Sequence, residues 1–176
     1  MITTRNRHEK TTRNRHEKRT MVARRSAGLL VFRRGQGGLE VLLVHPGGPL
    51  WARRDRGAWS LPKGEYQPDE DAVDAAHREF EEELGLPAPT GRLVPLGEVT
   101  QAGGKVVTAW AVEGDLDPEA IVPGTFELEW PRGSGTVRSF PEVDRVAWFD
   151  VSEARTRILA GQRPLLDRLE ARLTGR

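Results

Sequence analysis

From residue 27 onward the chain alternates between short apolar runs and polar turns. Residues 27–33 (AGLLVFR) and 39–45 (LEVLLVH) are apolar runs of strand length, separated by Gly35-Gln36-Gly37-Gly38. Runs of this length bounded by glycines predict two strands joined as a hairpin. Residues 46–58, rich in Gly, Pro and Arg, predict a loop carrying Trp51, after which Trp59-Ser60-Leu61-Pro62 leads onward. From Asp71 to Leu84 the spacing changes: Ala72, Val73, Ala76, Phe80 and Leu84 fall near the helical period. Pro68-Asp69 supplies a start signal for that helix and Gly85 a stop. Strands follow near 93–101 and 105–113, joined at Gly103-Gly104. Residues 114–142 form a long connection in which 125–130 (TFELEW) reads as a strand. Residues 144–149 (DRVAWF) predict another strand. Asp150 or Ser152 then caps a helix to about Ala160, and a further helix lies near 164–173. Strands and helices are interspersed, which suits an α/β architecture with a mixed sheet between helices.

One of these helices is unusual in charge. In and just ahead of it stand Glu70, Glu79, Glu81, Glu82 and Glu83. Like charges at helical spacing repel. Glu79, Glu82 and Glu83, at i, i+3 and i+4, are expected to form one solvent-facing patch opposite the stripe of Phe80 and Leu84. An ordinary solvated face is one account of the run, although such faces usually interleave both signs. A cradle for a hard divalent cation, which takes oxygen ligands and removes the repulsion, is the other.

Composition narrows the setting. At 176 residues the chain is long enough for one domain with a sizeable core. It has no cysteine, which excludes a disulfide framework, a thiolate metal site and a cysteine nucleophile. No apolar run approaches a membrane span, and the N-terminus lacks the apolar stretch of a secretory signal. A soluble, cytoplasmic protein without membrane partners is expected. The net charge of +1 divides unevenly: residues 1–25 carry nine Arg or Lys and two Glu, a net of +7, leaving −6 for the remainder. Within that tail Thr3–Lys10 (TTRNRHEK) is repeated as Thr11–Lys18. The unit has no apolar residue and cannot stack around a core, so a flexible tail over 1–25 is expected ahead of a folded domain over 26–176. Its two readings are a recent duplication without a role and an electrostatic arm for RNA or another polyanion.

Residues 64–86 also fit a longer pattern. Gly64, Glu70, Arg78, Glu79, Phe80, Glu82, Glu83, Gly85 and Leu86 match Gly-x5-Glu-x7-Arg-Glu-U-x-Glu-Glu-x-Gly-U, with U bulky and apolar. This resembles the Nudix box in every fixed position; the departure is Phe80, where the family more often has an aliphatic residue. The SAGLLV run before the box, Leu61-Pro62-Lys63-Gly64 leading in and Ala147-Trp148-Phe149 after it extend the resemblance over about residues 26–160.

The resemblance implies a Nudix α/β/α sandwich and a pyrophosphohydrolase that cleaves a phosphoanhydride in a nucleoside diphosphate linked to another group. It implies Mg²⁺ or Mn²⁺ held by Glu79, Glu82, Glu83 and the Gly64 carbonyl, with Glu79, Glu82 and Arg78 in the catalytic set. Lys63, beside Gly64, is placed to meet phosphate. Arg78 is expected to pair with carboxylates, Glu70 among them, and so to hold the box loop against the helix. Glu142, six residues before Trp148, is similar in placement to a glutamate that follows the box in some Nudix enzymes and is a candidate base. The segment Gly104–Trp110 resembles the diadenosine-tetraphosphate hydrolase branch, which makes Lys105 a phosphate contact and Trp110, with Trp51 and Trp130, a base-stacking candidate. That branch usually carries a tyrosine shortly after the box, whereas the only tyrosine here is Tyr66. No marker for NADH or coenzyme A substrates is present. A nucleoside triphosphate or dinucleoside polyphosphate is the expected substrate. ADP-ribose, capped RNA, or nucleotide sensing without hydrolysis are the alternatives.

Overall fold

The computed structural model describes residues 23–175, so the repeat tail through residue 22 lies outside the described residues. The strands are β1 (Arg25–Gly35), β2 (Gly38–Pro46), β3 (Lys63–Glu65), β4 (Val94–Thr100), β5 (Val106–Glu113), β6 (Thr125–Glu129), β7 (Val137–Pro141) and β8 (Val143–Asp150). The α-helices are α1 (Ala72–Leu84), α2 (Val151–Arg157) and α3 (Arg163–Leu173).

β1 and β2 are continuous apolar runs because both of their faces are covered, as in a sheet layered between helices. Ala27, Leu29 and Val31 of β1 pack on one side with Ala75, Ala76, Phe80 and Leu84 of α1. Leu30 and Phe32 pack on the other with Ala154 of α2 and Leu165, Leu166 and Leu169 of α3. The strand order is β4-β5-β1-β2-β8, with β3 also pairing β1. The β1–β5 pair is parallel and the others in this sheet are antiparallel. The sheet is therefore mixed and lies between α1 and the α2–α3 pair, the α/β/α arrangement expected.

The site owes its position to a gap in this sheet. β1 and β2 pair only near their hairpin turn, from Phe32↔Val41 to Gly35↔Gly38. Beyond that they splay, and the segment 60–65 enters between them. Ser60 bridges to Val44, Leu29 N donates to Pro62 O at 3.2 Å, and β3 pairs with Ser26–Gly28 of β1. The crossing is close enough to require glycine: a Cβ on Gly28 would meet Leu61, the Pro62 carbonyl and Lys63 at 2.5–2.7 Å. The sequence thus delivers Lys63 and Gly64 to the open end of the splayed strands, beside α1.

Several boundaries differ from expectation. The start of α1 is capped by Asp71, whose side chain accepts from Val73 N and Asp74 N, two residues beyond Pro68-Asp69. Gly85 stops it as expected, in the left-handed conformation at φ 66°. α2 is capped by Asp150 and ends at Arg157 rather than near Ala160, because fully buried Ile158 bridges to Trp59 and Leu159 N donates to Trp59 O at 2.8 Å. The 114–142 connection is more ordered than the sequence indicates. It holds the hairpin β6–β7, in which β7 was not expected; the exposed VRSFP run gives little periodic signal.

Candidate active site

Four carboxylates, one lysine and one glycine meet at the gap. Glu79, Glu82 and Glu83 come from α1, Lys63 and Gly64 from β3, and Glu142 from the link between β7 and β8. With Pro46–Trp51, Phe126 and Leu128 they line a cleft of about 420 Å³. A smaller chamber of about 160 Å³ continues inward, sharing Trp51, Lys63, Glu83 and Glu142 with the cleft.

The acidic residues do not form the solvent-facing patch expected. Only Glu82 is largely exposed, at 57 % of its side chain, whereas Glu79 is at 13 %. The reason is that α1 lies along β3 as well as on the sheet, so one flank of its acidic face is closed by residues 63–65. Gly64 makes this contact possible, since a Cβ there would collide with the Glu79 carboxylate. Glu83 accepts from Lys63 N at 3.1 Å. Burial, reinforced by the negative charges of Glu79 and Glu142, raises its pKa to about 7 against the pull of Lys63. Burial lowers the Lys63 pKa; Lys105 acts in the same direction, and Glu83, Glu79 and Glu65 act against it. Glu142 is exposed as a residue, but it lines the cleft, with its carboxyl beside Gly124. Burial, then Glu79 and Glu82, raise its pKa as well.

Arg78 organises this surface. Its guanidinium makes a two-pronged contact with Glu70, Nε to Oε1 at 2.7 Å and Nη2 to Oε2 at 3.0 Å, as the sequence led us to expect. Nη1 donates to Glu79 at 2.6 Å and to Glu82 at 3.2 Å. The Arg78 pKa is raised accordingly, by Glu70 first and then Glu79. Among the described residues no three acidic or imidazole groups are gathered closely enough to enclose an ion; two of the candidate ligands hold Arg78 instead. Glu81 is exposed on another part of the helix.

Two expected substrate contacts lie elsewhere. Lys105 Nζ sits 3.4 Å from Glu65 and is not among the side chains lining the cleft, although its charge is near enough to act on Lys63. Trp110, in the middle of β5, is half-buried against the α1-side core, where its ring serves packing. Trp130 follows β6 and does not line the cleft. Trp51 does. Sequence reasoning missed Phe126 and Leu128, although TFELEW carries the signal: its apolar residues alternate with Glu127 and Glu129, so one face of the hairpin is apolar.

The sequence profile of the NUDIX domain family matches residues 22–169. The chain belongs to the Nudix family. The Nudix box is therefore the β3–α1 unit described above, with Gly64, Glu79, Glu82 and Glu83 in the cleft and Glu70 and Arg78 bracing it. Other comparisons agree on the fold. The chain is 47% identical over 47 residues to an RNA pyrophosphohydrolase of Pseudomonas putida, a match covering 26% of this chain and 30% of that protein. It is 35% identical over 109 residues to the human mitochondrial coenzyme A diphosphatase NUDT8, covering 59% of this chain and 45% of that one. The matches thus span less than half the length of these curated relatives. A C. elegans Ap4A hydrolase structure superposes with a TM-score of 0.61 at 23% identity, covering 86% of this chain and 99% of that one. The Nudix domain of Shewanella oneidensis NrtR, complexed with ADP ribose, superposes with a TM-score of 0.60 at 18% identity, covering 91% and 94%.

Proposed function

We propose that this protein is a metal-dependent pyrophosphohydrolase acting on a nucleotide, with a nucleoside triphosphate or dinucleoside polyphosphate as substrate. The observation that carries the reading is the convergence of Glu79, Glu82, Glu83 and Glu142 with Gly64 and Lys63 in one cleft. Burial, with the neighbouring negative charges, raises the pKa of Glu83 and Glu142, and carboxylates crowded in this way are costly to keep ionised together unless a cation joins them. The donor set is all oxygen, which fits Mg²⁺ or Mn²⁺. Glu79, Glu82, Glu83 and the Gly64 carbonyl are the groups that would hold it, Arg78 yielding part of its contact with Glu79 and Glu82. When bound, the cation supplies charge neutralisation at the phosphates and lowers the pKa of water.

The remaining chemistry belongs to side chains. Lys63, held low in its charged form by burial, gains from a phosphate brought beside it and so aligns the phosphoanhydride with the acidic floor. Glu142, raised in pKa and lining the cleft, accepts the proton of the attacking water. The water oxygen bonds to phosphorus, the P–O–P bridge breaks, and the departing phosphate keeps the bonding pair. Arg78 is a positioning residue: it fixes Glu70 and the loop against α1 and keeps Glu79 and Glu82 oriented. All the box carboxylates are present, which favours hydrolysis over nucleotide sensing alone.

The relatives named above make RNA and coenzyme A the competing substrate classes, the second not foreshadowed in the sequence. A turnover screen in Mg²⁺ across nucleoside triphosphates, dinucleoside polyphosphates, ADP-ribose, coenzyme A and capped RNA tests the reading. Cleavage of one phosphoanhydride in members of the first two groups is expected, read as phosphate or pyrophosphate from a triphosphate and as two mononucleotide products from a dinucleoside polyphosphate. No cleavage of any of the five would overturn it.

A further inference from the structure

Near its end the apolar strand β2 carries a polar side chain that is fully buried, His45. Alternation along the strand puts it on the face of Val41 and Leu43, which pack toward α2 and α3. Its ring meets buried Trp59 at a steep angle, with centroids 5.3 Å apart. Both ring nitrogens are used. Nδ1 lies 2.7 Å from Asp144 Oδ1 in β8, and Nε2 lies 2.6 Å from the Arg54 carbonyl oxygen. A carbonyl only accepts, so Nε2 carries the proton of that bond.

The segment held in this way leads to the cleft. Residues 46–51 line it and continue into a loop that reaches Gly57. The loop's ends are fixed by Gly47 N donating to Glu142 O at 3.0 Å and Gly57 N to Thr156 O at 3.1 Å. Between them two turns follow each other: Trp51 N donates to Gly48 O at 3.3 Å, and Arg54 N to Trp51 O at 2.8 Å. Both bonds are internal to the loop and fix nothing outside it. Among the described residues, two groups tie its middle to the rest of the molecule by hydrogen bonds or ion pairs. One is the Arg54 carbonyl, on His45. The other is the Asp55 side chain, which accepts from Trp59 Nε1 at 2.8 Å and pairs with Arg157 and Arg145.

We infer that His45 is a positioning residue for the substrate: through Arg54 it holds the cleft wall 46–51 in the form that receives the nucleotide. This rests on the nucleotide hydrolase reading above. His45 is not among the residues lining the cleft, so it acts on the wall from behind. A wall released from this anchor must be re-ordered each time substrate binds, and apparent affinity falls in proportion to the time it spends out of place. Once substrate is bound the wall is back in the same position, and the box carboxylates on α1 have not moved. The loss therefore belongs to KM and not to kcat.

Steady-state kinetics of the full chain on a nucleotide it hydrolyses in Mg²⁺, with amide hydrogen exchange on the same samples, tests this. His45→Phe keeps a ring against Trp59 and removes both ring nitrogens. KM is expected to rise about tenfold and kcat to stay within about twofold, as for a wall in place about one-tenth of the time. Exchange should quicken at 48–54 and not in α1. Asp144→Asn is the conservative partner: its amide can donate to Nδ1 while Nε2 still donates to Arg54 O, so KM and exchange should keep their wild-type values. Should His45→Phe fail to fold, Asp144→Ala, at a side chain 31% exposed, frees the ring on one side. It should move KM and the exchange at 48–54 in the same direction, by about threefold. A fall in kcat at unchanged KM, or a loosened 48–54 with neither constant moved, would overturn the inference. Unchanged exchange at 48–54 overturns it whatever the activity. A wild type that turns over no nucleotide overturns the hydrolase reading, a result told apart from these because the exchange measurement needs no turnover.

Discussion

At the scale of the residue, two positions carry the most physical consequence. Gly64 is one. It leaves room for the Glu79 carboxylate where any side chain would stand. Gly64→Ala should cost about 1–3 kcal/mol of stability through overpacking and lower turnover by a larger factor, because Glu79 is the group displaced. Denaturant melts and turnover measured on the same sample check this; an alanine variant of normal activity would show that Glu79 works from another position. Glu83 is the other. Its folded pKa of about 7 lies above the ordinary 4.5. Between those values the folded chain holds a proton that the unfolded chain has released, so this group's contribution to stability falls as pH rises from about 4.5 to about 7. In chelator, the melting temperature of Glu83→Gln minus that of the wild type should therefore climb across that window. A difference that stays flat with pH would show that Glu83 is not held protonated. Saturating Mg²⁺ should reverse the order at pH 8, since only the wild type gains fully from binding.

At the scale of the element, legibility followed from how local each cause was. The α1 helix was read from its period and from Gly85, because both signals lie within the segment. The box residues were legible as a set through their spacing, and the Arg78–Glu70 contact followed from it. The closure of the acidic face by β3 was not legible. It depends on the splay of β1 from β2 and on Gly28, a tertiary crossing with no mark in the period of α1. Lys105 and Trp110 fall outside the cleft lining for a related reason: resemblance of a short segment says what a strand contains, not which side of the sheet its residues serve. The β6–β7 hairpin was half-read because β7 is exposed except at Phe140, and one partly buried residue gives no alternation to detect. Gly85 offers a test at this scale. Its φ of 66° and the nearness of the Val122 carbonyl both exclude a Cβ. Gly85→Ala should destabilise by about 1–3 kcal/mol and loosen the path into the hairpin, visible as faster amide exchange at 122–129. Unchanged stability would show that the chain relaxes around this cap at little cost.

At the scale of the whole molecule, a mixed sheet covered on both faces supports a site assembled from sequence-distant parts. The cleft gathers residues 46–51, 63–64, 79, 82–83, 126, 128 and 142. None of the described cleft residues comes from the segment before β1. A chain beginning at Ala23 should keep its kcat on small nucleotides within about twofold, and a loss of tenfold or more would give the basic tail a part in the chemistry. If RNA is a substrate, the same truncation should flatten the salt dependence of its affinity.

The central claim is that the carboxylates of α1 hold a divalent cation that hydrolysis requires. Its most direct test is turnover of one hydrolysed nucleotide by wild type and Glu82→Gln, in saturating Mg²⁺ and in excess chelator, with melts of both proteins in chelator. The account predicts that chelator abolishes wild-type turnover and that added Mg²⁺ restores it. It predicts that Glu82→Gln lowers turnover by about 10²-fold while melting at the wild-type temperature or slightly above, since a repelling charge is removed. Undiminished turnover in chelator, or a variant that melts early yet hydrolyses normally, would contradict it.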